Sequence, residues 1–336
     1  MKQINHLLRG GYVLFASLVL VSCSKQLTEP AASDKEVAAA APTFHNNSGC
    51  KPVVFGAFSQ TPSGASDWRT FAQKWYSGDD VAYLKFSSNL PGIFANVEHD
   101  LNMDWAEVTY EGNQVRLRDV VQDELILRVT LDNDGRPVAS YYDNTFSSIN
   151  YERDTTYFYY TNDRLDSAVV LRAIAINSPM AAHSAKKYIF EYDAHGNIRE
   201  IDMPSSTAAG SGSVLSFVYN YGMPVTGIMV NYRATMAMKL LEHLELLKLP
   251  MNHAVSRIIF TVHSTTVFTV VHEDNYVNYV LDNGRVHSFQ RLGSGVNHTY
   301  YNGWECSSAP TSRSAIQTPK QNGIMSLEEF NRAYPR

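Results

Sequence analysis

The chain has 336 residues, with 33 acidic against 28 basic side chains and a formal net charge of −5. No basic stripe accompanies its aromatics, which argues against nucleic acid as a partner. Apolar residues make up 44% and aromatics 12%, enough to bury a substantial core, and the twenty tyrosines lean the composition toward strands.

Residues 1–22 have the layout of a secretion signal, with Lys2 and Arg9, an apolar stretch from Tyr12 to Val21, and the small Ser22 before Cys23. The stretch is shorter than the roughly 20 residues of a spanning helix. Leu20-Val21-Ser22-Cys23 resembles the lipobox of bacterial lipoproteins. That resemblance implies cleavage before Cys23 and a lipid bilayer as partner, reached through acyl chains such as palmitate on that cysteine. Ser24 is not the aspartate of inner-membrane retention, which implies an outer-membrane lipoprotein of the cell envelope. The segment Ser24 to Thr28 lacks the acidic run associated with surface export, which favours the periplasmic face.

Residues 23–49 are rich in Ala, Ser, Glu, Pro and Asn without apolar periodicity and read as a flexible tether. A β domain is expected over 50–306. Val53 to Phe58 is its first strand, and Trp68, Phe71, Ala72 and Trp75 then recur at helical spacing behind Ser66, which predicts a short helix. Beyond Val81 the pattern becomes runs of β-branched and aromatic residues punctuated by Asn, Asp and Gly, the signature of antiparallel hairpins. Turns are expected at Gly112-Asn113, Asn133-Asp134-Gly135, Asn162-Asp163, His195-Gly196-Asn197, Gly222 and Asn283-Gly284. The first five recur roughly every 23 to 33 residues, a degenerate repeat of long hairpins.

Met236, Leu240, Leu244 and Leu247 mark an amphipathic helix inserted near 233–249 and ended by Pro250, expected to cover an open end or face of the sheet. Residues 307–336 read as a polar loop and a short C-terminal helix, opened by the capping box Ser326-Leu-Glu-Glu329.

Tyr192-Asp193-Ala194-His195-Gly196-Asn197-Ile198 resembles the YD repeat of Rhs-type and teneurin-type proteins, and Leu131-Asp132-Asn133-Asp134-Gly135 is a second match. Hairpins of this kind behind a lipobox also resemble uncharacterised Bacteroidota lipoproteins, a family of unknown function described as porin-like in fold. The resemblance covers residues 105–305 and implies an all-β, antiparallel up-and-down meander. About ten to fourteen strands are expected, curled or barrel-like to protect the edges. If the sheet closes, its first and last strands become neighbours and bring Cys50 to Cys306, a candidate disulfide in an oxidising compartment; the alternative is two unrelated thiols. A lipid-embedded barrel is disfavoured, because Thr261 and His263 on one face and Ser264 and Thr266 on the other interrupt any apolar band.

Chemistry is sparse. Eleven histidines show no metal-ligand spacing, and no cofactor motif is present. Thr318 to Glu329 mimics half of a calcium loop but places Lys320 where an oxygen ligand is needed. Glu98-His99-Asp100 and His272-Glu273-Asp274 each set an imidazole beside two carboxylates. Asp154-Thr155-Thr156 and Asp166-Ser167-Ala168 resemble O-glycosylation sites of Bacteroidota. The tryptophans Trp68, Trp75, Trp105 and Trp304 suit either core packing or a sugar-binding face. The sequence therefore points to a non-enzymatic envelope lipoprotein with a glycan or envelope protein as possible partner. The rival is a glycan or envelope hydrolase using Glu98 and Asp100.

Overall fold

The computed structural model describes residues 50–60, 66–87, 102–147, 150–175, 182–204, 211–226, 235–264, 267–292 and 297–306. Sixteen strands follow one another in chain order. The first eight are β1 (Cys50–Gln60), β2 (Ser66–Ser77), β3 (Asp80–Ser87), β4 (Asn102–Glu111), β5 (Gln114–Asp119), β6 (Glu124–Leu131), β7 (Pro137–Ser147) and β8 (Asn150–Thr161). The second eight are β9 (Arg164–Ala175), β10 (Ala182–Tyr192), β11 (Ile198–Pro204), β12 (Gly212–Pro224), β13 (His253–His263), β14 (Phe268–Asp282), β15 (Arg285–Leu292) and β16 (Asn297–Cys306). Each pairs antiparallel with its neighbours, and β1 pairs with β16, so the meander closes into a barrel. The seam runs from Cys50↔Cys306 to Gln60↔Asn297, and a disulfide joins its two cysteines. The Arg285 guanidinium donates to both sulfurs.

The strand count exceeds the ten to fourteen expected, and β2 shows why. The segment predicted as a helix is a strand paired to both β1 and β3. Its apolar residues satisfy a helical stripe, yet two open strand edges compete for its backbone, and tertiary pairing overrides the local pattern. The turn after it, at Gly78, was hidden by the same ambiguity.

One end of the barrel carries the tight turns. Asn283 and Gly284 both hold positive φ, 48° and 79°, as a two-residue hairpin turn of right-handed strands demands. The turns at Asp132 and Asp193 are built alike. In each, the aspartate Oδ1 accepts from the backbone two and four residues on, while its backbone N donates to the carbonyl four residues on. At the expected Gly222 turn the chain does not reverse directly into a strand. It runs instead through an insertion that holds the helix α1 (Met236–His243) before returning as β13.

A second repeat joins the strands at this end. The hydroxyls of Tyr76, Tyr110, Tyr192, Tyr219 and Tyr279, near the ends of even-numbered strands, donate to backbone carbonyls near the starts of the strands just before them. Trp304 Nε1 does the same to Val286 O at 2.9 Å. Each aromatic thus clasps its own hairpin while its ring packs inward.

The core lies inside the barrel. Alternate residues of the strands point inward, among them Leu84, Leu117, Leu127, Tyr142, Ile201 and Leu215, all fully buried. Phe55, Tyr300, Phe289 and Tyr279 stack in series across the seam at 5.0 to 5.7 Å. The helix α1 shares this core: Met236, Ala237, Met238, Leu240 and Leu241 are at most 1% exposed, and His243 meets Phe86 at 5.1 Å. The sequence pattern suggested a longer helix covering an end or face. The observed one is shorter and packs into the interior core, with Met236, Ala237, Met238, Leu240, Leu241 and His243 buried and only Lys239 and Glu242 partly exposed.

Candidate functional site

Three features define the interior. The first is how the α1 segment is held. Thr235 caps the helix by accepting from Met238 N at 3.2 Å. Beyond its C-terminus Glu245 adopts a left-handed φ of 62°. A non-glycine residue pays for that conformation only when its surroundings fix it, and here they do. The Glu245 carboxylate accepts from Lys74 Nζ at 2.9 Å and lies 2.5 Å from Tyr76 Oη, whose single proton it shares with the Pro52 carbonyl, tying the helix end to β2. Burial pushes the Glu245 carboxyl up, and Lys74 with Tyr76 more than offsets it, so its pKa falls below the usual carboxylate range. Burial, with Lys74 and Lys239, drives the His243 imidazole down to about 3, so it is neutral.

The second feature is a set of buried charges in the half of the barrel away from the tight turns. Arg172 makes two hydrogen bonds to Asp154, at 2.9 and 3.0 Å, and stands 3.1 Å from Glu152. Farther round the wall, Arg291 meets Asp274 at 2.7 Å and His272 Nε2 approaches the same carboxylate at 3.1 Å. Burial and Arg291 push the nearby His298 down to about 4. These acids are matched by guanidinium groups and read as structural ties of a polar core.

The third is a cavity of about 770 Å³ at the tight-turn end, between the ends of β7 to β10 and the connection from α1 to β13. Leu165, Leu246, Leu247 and Pro250 supply its apolar lining. Arg136 and Arg164 lie over the rings of Tyr160 and Tyr192, at 5.1 and 5.4 Å. Arg136 is held by Asp132, Asp134 and Asp163 at 2.6 to 3.0 Å. The Tyr160 hydroxyl is buried without a hydrogen-bond partner, unlike the clasping tyrosines. Lys248 completes the lining, its ammonium pKa lowered by burial.

The outer wall is charged. Arg116–Glu111, Arg118–Asp123, Arg153–Asp143, Arg257–Glu273 and Arg199–Glu191 pair across its surface between β4 and β14.

The chain is similar in fold to solved porin-like proteins. One, from Bacteroides vulgatus ATCC 8482, is 13% identical with a TM-score of 0.49, over 78% of this chain and all of that one. A second, from Bacteroides uniformis ATCC 8492, is 15% identical with a TM-score of 0.45, over 76% and 98% of the two chains. No family model matches the chain, and no curated protein does.

The residues singled out from sequence fare unequally. Cys23, Glu98, His99, Asp100 and residues 307–336 lie outside the described residues. The His272-Glu273-Asp274 cluster is divided by strand alternation: Asp274 is buried toward Arg291, whereas Glu273 faces out toward Arg257. Ser167 is only 6% exposed, which leaves no room for a glycan on the folded chain, and Thr155 is half-buried on the outer wall. Trp304 is engaged in the hairpin clasp, and Trp105 packs edge-on against Tyr83 at 5.5 Å. Sequence reading did not find Lys74, Glu245, Arg164 or Tyr160, since each looks like an ordinary strand or loop residue until closure sets it beside its partners.

Proposed function

We propose that this chain is a water-facing, non-conducting β-barrel module of the bacterial cell envelope, held to the outer membrane by lipid on Cys23, that binds or scaffolds rather than catalyses. The observation that carries this reading is the filled lumen. Barrels of sixteen strands in the outer membrane commonly enclose an aqueous channel, whereas here α1 and the aromatic stack occupy the interior. The charged wall supports the same reading. An arginine facing lipid at the bilayer midplane costs about 2 to 4 kcal/mol, and Arg116, Arg118, Arg153, Arg199 and Arg257 all face outward with side chains 42–53% exposed.

The test combines labelling, fractionation and conductance. Cells expressing the chain are fed radiolabelled palmitate, and membranes are washed in alkaline carbonate. The wild type is expected to carry label and stay with the membrane, and Cys23→Ala to lose both. Reconstituted into liposomes, the protein is expected to admit no sugar or ion flux. Retention of Cys23→Ala in the washed membrane, or a measurable flux, would overturn the reading.

A further inference from the structure

Six of the eight even-numbered strands carry an aromatic clasp at the tight-turn end; β6 ends without an aromatic, at Leu131, and β8 carries a tyrosine that makes no clasp. Tyr76, Tyr110, Tyr192, Tyr219, Tyr279 and Trp304 each donate to a backbone carbonyl of the preceding strand. Tyr160 occupies the matching place at the end of β8, yet its buried hydroxyl has no partner, and its ring lies beneath Arg136 beside the 770 Å³ cavity. Buried hydroxyls are nearly always satisfied, and the exceptions cluster where something else supplies the partner. A cavity of this size falls in the range of small-molecule sites.

The charges around the cavity are unequal in their commitments. Arg136 is consumed by Asp132, Asp134 and Asp163, which lie on the same turns. Arg164 has the Tyr192 face beneath it but no carboxylate partner among the described residues, and its Nη2 is held 3.3 Å from where a Cβ on Gly196 would stand. Gly196 therefore leaves the guanidinium room to stand over the tyrosine ring. The unspent groups of the lining, Arg164 and the Tyr160 hydroxyl, are both hydrogen-bond donors. Leu165, Leu246 and Leu247 form an apolar surface beside them.

We propose that this cavity binds a small amphiphilic anion, its carboxylate or phosphate meeting Arg164 and the Tyr160 hydroxyl and its apolar body lying on Leu165, Leu246 and Leu247. The assignment is independent of the lipid anchor. The carboxylates of Asp134 and Asp163, with side chains 71% and 90% exposed at the cavity, would repel a large polyanion.

Calorimetric titration of the purified chain with octanoate, octyl phosphate and octylammonium tests it. Saturable one-to-one binding is expected for at least one anion at concentrations up to about 1 mM, and none for octylammonium. Binding of one anion alone identifies which head group the site reads. Arg164→Gln is expected to weaken the bound anion about tenfold or more, and Tyr160→Phe several-fold, as loss of charge-assisted hydrogen bonds implies. Neither change should alter the thermal midpoint of the unliganded chain, since Arg164 is exposed and the Tyr160 hydroxyl has no internal partner. Preferential binding of octylammonium, no saturable heat with either anion, or anion affinity unchanged in both variants would overturn the proposal.

Discussion

Lys74 on β2 and Glu245 just past α1 meet at 2.9 Å, and this contact fastens the helix inside the barrel to the wall around it. Lys74 is only 5% exposed, so its ammonium has little water to fall back on. Glu245→Ala is expected to destabilise the fold by about 3 kcal/mol, because removing one partner leaves a buried charge uncompensated. The double variant Lys74→Met with Glu245→Ala should recover much of that loss. Urea unfolding of the two single variants and the double variant measures the coupling; purely additive effects would refute the fastening.

His243 makes stability depend on pH. Its folded pKa of about 3 lies below the unfolded value near 6.5. Below pH 6.5 the unfolded chain therefore takes up a proton that the folded chain refuses, and stability falls by about 1.4 kcal/mol per pH unit until the folded pKa is reached. Glu245 adds a loss at lower pH, where its carboxylate, held below the ordinary value of 4.5, finally protonates and releases Lys74. The variant His243→Leu should flatten the slope between pH 6.5 and 4.5 by about one proton in urea titrations. An unchanged slope would mean that the imidazole is not the group responsible.

The antiparallel meander was legible in the sequence because turn chemistry is local. Asn162-Asp163, Gly196 and Asn283-Gly284 announce their turns without reference to the rest of the chain. Residues 66–77 were misread because Trp68, Phe71, Ala72 and Trp75 fall at helical rather than alternating spacing, and only the edges of β1 and β3 draw the segment into the sheet. The interior helix was visible as an element but not as a filling, since its place depends on the width that sixteen strands enclose. The cavity was invisible for a related reason. Arg136, Arg164 and Lys248 come from three separate connections that meet only once the sheet has curled.

The tyrosine clasps carry a prediction of their own. Tyr219 Oη donates to Ile198 O at 2.6 Å and Tyr279 Oη to Val255 O at 2.6 Å. Replacing either residue by Phe keeps the ring and leaves a carbonyl without its donor. Each substitution is expected to cost about 1 kcal/mol. Tyr160→Phe, with no hydrogen bond to lose, should cost nothing measurable. Chemical denaturation of the three variants side by side separates a general effect of losing hydroxyls from the specific clasp, and equal losses in all three would refute the pattern.

The seam between β1 and β16 is the most expensive pairing in the barrel to form, since it joins strands 256 residues apart in sequence. The Cys50–Cys306 disulfide sits at one end of that seam, at the tight-turn end, with Arg285 against both sulfurs. Closing so long a loop in the unfolded chain is worth about 5 kcal/mol in the chain-entropy account. Reduction, or the pair Cys50→Ser and Cys306→Ser, should therefore lower unfolding free energy by about 3 to 5 kcal/mol. The loss should be uneven. Amide exchange at Phe55 and Ala57 on the seam is expected to rise more than at Thr156 and Phe158 on β8, which keeps close-range partners on both sides through β7 and β9. Equal acceleration across the barrel would show that it opens as one unit and that the disulfide stabilises the whole fold, while unchanged unfolding after reduction would show that the strand ladder closes the seam by itself.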